Sequence, residues 1–340
     1  MFGLGWLRAL TDARGLLEHA HHGVPRLGEG YTTDDNARAL LYLSLLPEGA
    51  RDEGLVRTYL AFLLHMQKED GRFRNGLTLD GRFEDEGEAE DPTGRAVLAL
   101  AAAQRLPPPY AGPAREALLR ALPALEGFTS LRGRAYALLG LLALPKEPFL
   151  EAAEALGEGL LRAFREAEPA WPYPGPLTYA NHRPVEALYA YGLAFRRQEA
   201  VALARRALAF LKEHYFTPGE EGLFFDPVGN RFMARGRDKP LFDQQPIEAT
   251  CALLAHLRFG ERVLAEVAFL WFHGRNRLRA PLVDAFGPMD GLTPHGPNQN
   301  RGAEALLAYL LAWQALVQGV FPQVDEGVAL GRVFALGGRP

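Results

Sequence analysis

The chain has 340 residues, 48% of them hydrophobic, which is enough to bury a large core and too apolar for a disordered chain. Its 37 basic and 41 acidic residues leave a formal charge of -4 and are interspersed, so neither nucleic acid nor an anionic membrane is expected as a partner. One cysteine, Cys251, excludes an internal disulfide and a multi-cysteine metal site, and the two serines, Ser44 and Ser130, lack a nucleophile-elbow setting.

No phosphate-cradling or dinucleotide fingerprint follows a strand. No apolar run approaches the roughly 18 residues of a membrane span, and the first ten residues lack a cleavable leader pattern, so a cytoplasmic protein is expected. Arginine carries nearly all the positive charge, with only Lys68, Lys146, Lys212 and Lys239 as lysines, a bias expected of a GC-rich genome and of a thermophile.

In chain order, Met1 to His22 is a short apolar segment followed by a non-periodic stretch holding His19, His21 and His22. After a Gly/Pro-rich link, Tyr31-Thr32-Thr33-Asp34-Asp35-Asn36-Ala37-Arg38 leads into an apolar helix running to Leu46, with Thr33 or Asp34 as its cap. Asp52 to Met66 shows apolar residues on one helical face only. A Gly/Asp/Arg-rich loop over 68–90 is expected to hold a short hairpin around Arg72-Phe73-Arg74 and Arg82-Phe83-Glu84. The alternation continues with apolar helices over 93–104, 131–144, 184–195, 246–257 and 302–317. Amphipathic helices are expected over 114–125, 147–166, 199–215 and 262–273.

Six wholly apolar helices, starting near residues 35, 93, 131, 184, 246 and 302, thus alternate with amphipathic ones at about 50-residue spacing. Apolar helices belong inside and amphipathic ones outside, which predicts an all-α fold, an (α/α)6 toroid of inner and outer helices with long, partly β-hairpin loops over a cleft. One domain is expected over 1–340, with its core at about 12–317. The N-terminal segment or the tail would supply the sixth outer element, and 318–340 would pack on the outside.

Inner helices of a toroid run the same way, so their N-terminal mouths share one face. Five polar clusters sit at these mouths. They contain Asp34, Asp35, Asn36 and Arg38; Asp91 and Arg95; Asn181, His182 and Arg183; Asp243, Gln244, Gln245 and Glu248; and Asn298, Asn300, Arg301 and Glu304. Tyr31, Trp171, Tyr173 and Tyr179 add apolar faces. Paired donors and acceptors beside aromatic rings suit a sugar, and paired carboxylates suit glycoside cleavage. Asp34, Asp35, Asp243, Glu248 and Asp91 are the candidate acids and bases, with one of Asp34/Asp35 facing Asp243 as the leading pair. Two adjacent acids raise the pKa of one of them when both are partly buried. His19 is a candidate hydroxyl donor; the histidines lack metal-site spacing, and neither a metal nor another cofactor is expected.

The motifs Gly-Tyr-Thr-Thr-Asp-Asp-Asn-Ala-Arg-Ala-Leu (30–40), Glu-Asp-Pro-Thr-Gly-Arg-Ala (90–96), Asp-Gln-Gln-Pro-Ile-Glu-Ala (243–249) and Asn-Gln-Asn-Arg-Gly-Ala-Glu-Ala (298–305) together resemble a bacterial family of six-hairpin, glycosidase-like toroids. Its members are often fused to, or encoded beside, retaining glycosyltransferases. The chain departs from the family pattern at Pro92 and Ala305, where His and Ser are expected. The resemblance implies the (α/α)6 fold and a carbohydrate context. The reading is a glycoside hydrolase-like enzyme acting on an oligosaccharide or glycoconjugate. A non-catalytic sugar-binding partner of a separate glycosyltransferase is the alternative, and an epimerase or isomerase with paired histidines in the cleft is the third.

Overall fold

The computed structural model describes residues 3–84, 90–144 and 146–320; the expected packing of the tail beyond 320 lies outside the described residues. Its helices are α1 (Leu4–Ala9), α2 (Thr33–Leu45), α3 (Glu53–Met66), α4 (Glu90–Ala102), α5 (Pro108–Leu125), α6 (Leu131–Leu141), α7 (Phe149–Glu166), α8 (His182–Ala194), α9 (Gln198–Tyr215), α10 (Pro246–Arg258), α11 (Arg262–Leu270) and α12 (Ala303–Val317).

The even-numbered helices form the inner ring. Each packs on the next, and α12 returns to α2, so the ring closes. Their sequences explain this: Ala and Leu occupy every side of α2, α4 and α12, and nearly all of those residues are buried. In α7, by contrast, Phe149, Leu156, Leu160 and Phe164 form one buried stripe while charged residues take the other face. Outer helices α3, α5, α7, α9 and α11 follow this second pattern. Among the described residues α1, which touches α12, stands in the sixth outer position.

The predicted (α/α)6 toroid is therefore the observed architecture, and helix starts differ from expectation by a few residues. The largest difference is α5, which begins at Pro108 rather than near Ala114, because prolines are accepted in the first helical turn, where the missing N–H has no partner to lose. The expected hairpin is also displaced. Gly76–Leu77, not Arg72–Arg74, pairs with Phe83–Glu84 and on its other edge with Tyr31–Thr32, so this small sheet is stitched directly to the start of α2.

The two faces of the ring differ. Inner-to-outer connections are short, whereas the outer-to-inner ones, except the brief 126–130 link before α6, are long and hold all the short strands among the described residues, including the hairpins 20–25, 283–288 and 291–298. Loop mass therefore accumulates over the N-terminal mouths of the inner helices. No helix among the described residues is long and apolar enough to cross a membrane.

The closest approach in the ring is between α4 and α6. A Cβ placed on Gly94 would lie 2.4 Å from the carbonyl oxygen of Gly133, and one on Gly140 would lie 2.7 Å from the Cα of Leu98. Both obstacles are backbone, so a side chain must push the helices apart. Gly94→Val is therefore expected to lower unfolding free energy by about 1–3 kcal/mol, the usual cost of overpacking. Denaturant unfolding measures this, and an unchanged midpoint would show that the pair is not packed as described.

Candidate functional site

At the mouth of α2 the hydroxyl of Thr32 accepts from the Asp35 N–H at 3.2 Å and donates to Asp35 Oδ2 at 2.9 Å. Thr32 is thus the cap, not Thr33 or Asp34 as expected, because the small sheet fixes Thr32 in extended conformation just before the helix. Freed from capping, both acids line a pocket of about 290 Å3. Asp35 is 3% exposed, 2.6 Å from Arg38 Nη1. Burial first, then Glu304 and Asp34, push its carboxyl up against the opposing pull of Arg38. Like charge therefore acts in the expected direction but is not the main cause. Asp34 Oδ2 lies 2.5 Å from Arg95 Nη1, and its Oδ1 has no partner among the described residues.

Across the pocket, Glu304 Oε2 lies 3.1 Å from Arg38 Nη2, so one guanidinium bridges carboxylates from α2 and α12. Glu18, His19, Asn75, Gln245 and Asp290 complete the polar lining. Sequence reasoning missed three of these. Asn75 accepts the Asp34 N–H, and Asp290 accepts the Gly302 N–H at 2.5 Å at the start of α12. Glu18 comes from the non-periodic segment. Its N–H bonds Gly30 O at 3.0 Å and its carbonyl accepts from Ala303 at 2.9 Å, so tertiary hydrogen bonds, not local pattern, fix it. The only local signal was its position beside His19.

Glu18 differs chemically from its neighbours. It has no arginine partner among the described residues; His19 Nε2 is 3.5 Å away, and the carboxylate side chain is 32% exposed. Burial, then the negative charge of Asp35, push its carboxyl up to about 7 against the influence of His19.

The remaining expected residues lie elsewhere or are committed to structure. Asp243 is exposed with φ 59° and does not line this pocket, so the leading Asp34/Asp35–Asp243 pair is not assembled here. Asp91 accepts from Ser130 at 2.6 Å, Arg132 at 2.7 Å and Tyr179 at 2.8 Å. Burial alone would raise it, but Arg132 and these donors hold it low. Tyr31 donates to Asp12 at 2.5 Å, and Asn36 ties Leu16 to the start of α2. Asn181 bonds Thr178 and Tyr215, Arg183 pairs with Glu186, and Gln244 joins Asp226 to Trp271. Asn298 and Asn300 accept from Asn300 and His22 backbone N–H groups, while Arg301 pairs with Asp284. Trp171 and Tyr173 line a separate hollow of about 620 Å3. His182 is fully buried against His256, with ring centroids 5.8 Å apart, so this histidine pair does not face the pocket.

Glu248 is also buried, 1% exposed, and accepts from Ala180 N–H; its Oε2 has no partner among the described residues. Burial raises its carboxyl to about 8.

Fold and pocket together define a class: an (α/α)6 toroid whose inner-helix mouths frame a carboxylate-lined pocket. No family model and no curated protein sequence matches the chain. Solved structures do. A D-mannose isomerase is similar with a TM-score of 0.66 at 11% identity, over 93% of this chain and 95% of that one. The cellobiose 2-epimerase of Bacillus thermoamylovorans has a TM-score of 0.66 at 9% identity, over 91% and 95%. The GH76 α-mannanase of Bacteroides thetaiotaomicron has 0.61 at 10% identity, over 98% and 95%. At these identities the likeness establishes the fold.

Because the folded Glu248 carboxyl titrates near 8 and an unfolded one near 4.5, the folded state holds an extra proton between those values. The stability this contributes is complete below about pH 4.5 and is lost as pH rises through 8, at a slope on the order of 1 kcal/mol per pH unit. Glu248→Gln should flatten that slope in denaturant unfolding between pH 5 and 8; a slope identical to the parent's would contradict the assignment.

Proposed function

We propose that the protein is a carbohydrate-active enzyme that cleaves glycosidic bonds in this pocket, with Glu18 as the proton donor and Asp34 as the partner carboxylate. The observation that carries this reading is the contrast among the acids. Asp34, Asp35 and Glu304 are paired with arginines, whereas Glu18 has no such partner among the described residues and titrates near 7. A general acid works best with a pKa near the operating pH, and a second carboxylate beside it suits a base or nucleophile. Asp34 keeps one carboxylate oxygen without a partner among the described residues. Asp35 and Arg38 hold this arrangement in place. The similar structures, a D-mannose isomerase, a cellobiose 2-epimerase and an α-mannanase, are carbohydrate-processing enzymes, which supports a sugar ligand.

A second reading, binding without cleavage, is favoured by the number of arginine-locked acids in the same pocket. Epimerisation by paired histidines has less support, since His19 is the one histidine among the described pocket residues.

Product analysis on mannosyl, glucosyl and galactosyl oligosaccharides tests the reading. Glu18→Gln is expected to lower kcat by about 10²–10⁴-fold with KM little changed. Since the donor must be protonated, parent activity should fall as pH rises through about 7, and that limb should vanish in Glu18→Gln. Undiminished turnover in Glu18→Gln and Asp34→Asn would refute the assignment, and saturable sugar binding with no product from any substrate would establish the binding reading instead.

A further inference from the structure

On the outer wall of the ring, sharing no residue with the pocket, a groove of about 380 Å3 runs between α5 and α7. Its size falls in the range of about 300–1,000 Å3 usual for small-molecule sites. Leu122, Leu125 and Phe128 line one side and Ala152, Ala155 and Leu156 the other. Two arginines lie toward one end: Arg134, half-buried, from the inner helix α6, and Arg162, exposed, from α7.

Arg134 differs from its counterparts on the inner helices. Arg38, Arg95, Arg132, Arg183 and Arg258 each take a carboxylate, whereas Arg134 donates from Nε to Phe128 O at 2.7 Å and from Nη1 to Gly159 O at 3.3 Å. No acid pairs with it among the described residues, and its Nη2 edge is left over. The outer helix makes room for this guanidinium: a Cβ on Gly159 would stand 3.1 Å from Arg134 Cζ, and a glycine inside a helix is destabilising relative to alanine. Burial first, against the pull of Glu90 and together with the like charge of Arg162, lowers the Arg134 pKa. Arg162 also lacks an acid partner among the described residues. Glu158, one turn earlier, takes Tyr191 and Arg197, and Glu166, one turn later, lines the separate hollow beside Trp171.

Two neighbouring guanidiniums without an acid repel each other, and an anion between them turns that repulsion into charge-assisted hydrogen bonds. Glu126 and Glu151 line the groove as well, but neither pairs with these arginines among the described residues. Glu151 precedes Arg162 by eleven positions on α7, about 16 Å of helix, so it belongs to the far end. The groove thus joins apolar walls to a cationic end. We infer that it binds an amphiphilic carboxylate, with the head between Arg134 Nη2 and Arg162 and the hydrocarbon chain along Leu122, Leu125, Ala155 and Leu156. A neutral lipid would leave the arginines unanswered, and a small hydrophilic anion would leave the apolar walls in water. The site needs no sugar substrate, so it stands apart from the reaction proposed above.

Calorimetric titration of the full chain tests it, with octanoate, octanol and acetate as probes. Octanoate should bind saturably at one site. Octanol, lacking the charge, and acetate, lacking the chain, should each bind about tenfold or more weakly. Arg162→Gln and Ala155→Trp change exposed positions, so both variants keep the fold. The first should weaken octanoate by about tenfold or more and leave octanol unchanged; the second fills the groove and should abolish saturable binding of both. Equal affinities for octanoate and octanol would overturn the inference. So would an octanoate affinity unchanged in either variant, or the absence of saturable octanoate binding to the parent.

Discussion

Arg38 holds the first and last inner helices together. Its guanidinium reaches Asp35 on its own helix and Glu304 on α12, 266 residues away, at the seam where the ring closes. A guanidinium buried to 6% exposure is costly to desolvate, and two carboxylates offset that cost where one would not. Removing a single partner from such a pair typically costs about 3–5 kcal/mol, because the other charge is left stranded. The pocket acids are therefore not ornaments added to a finished scaffold. The interaction that closes the toroid is also the one that orients two of the carboxylates in the pocket.

The same device recurs around the ring. Arg95 on α4 reaches back to Asp34 on α2, Arg132 on α6 reaches Asp91 on α4, and Glu186 on α8 takes both Arg183 and Arg258 of α10. Each pair except Arg183–Glu186 links neighbouring inner helices, so the polar girdle carries register where the apolar packing below it carries affinity. Lysine would serve poorly here. A planar fork can hold two acids in fixed directions, or one acid and one ring, as Arg132 does with Asp91 and the face of Tyr179 at 3.9 Å. The scarcity of lysine, read from the sequence as a compositional bias, thus has a structural counterpart at these positions.

The ring was legible because burial on all sides leaves a plain sequence mark. The Ala/Leu runs that begin at Thr33, Leu131, His182, Pro246 and Ala303 have no polar stripe, and the folded chain puts each one inside. The fate of a polar side chain at a helix mouth was not legible, since a cap, a strut and a pocket residue share the same residue types. Asn36 looks like a ligand residue in sequence and is a strut, and Thr32 looks like linker and is the cap. Of the five clusters, residues from only three reach the pocket: Asp34, Asp35 and Arg38, then Gln245, then Glu304. The hairpins and loops decide which mouths stay open, and their path depends on contacts such as Tyr31 opposite Leu77 that no local period announces.

Glu18 shows why the last step needs three dimensions. Its backbone is clamped between Gly30 and Ala303, which delivers a loop carboxyl to a pocket otherwise furnished by helix starts. Helix-borne Asp34, Asp35 and Glu304 each sit within reach of an arginine projecting from an inner helix. Glu18 approaches from the loop side, where the His19 ring nitrogen lies 3.5 Å from its carboxylate. The pocket consequently contains carboxyls of two kinds, those paired with a guanidinium and one without an arginine partner among the described residues. Environment, not residue type, divides them, and a division of that sort is what acid and base roles within a single pocket require.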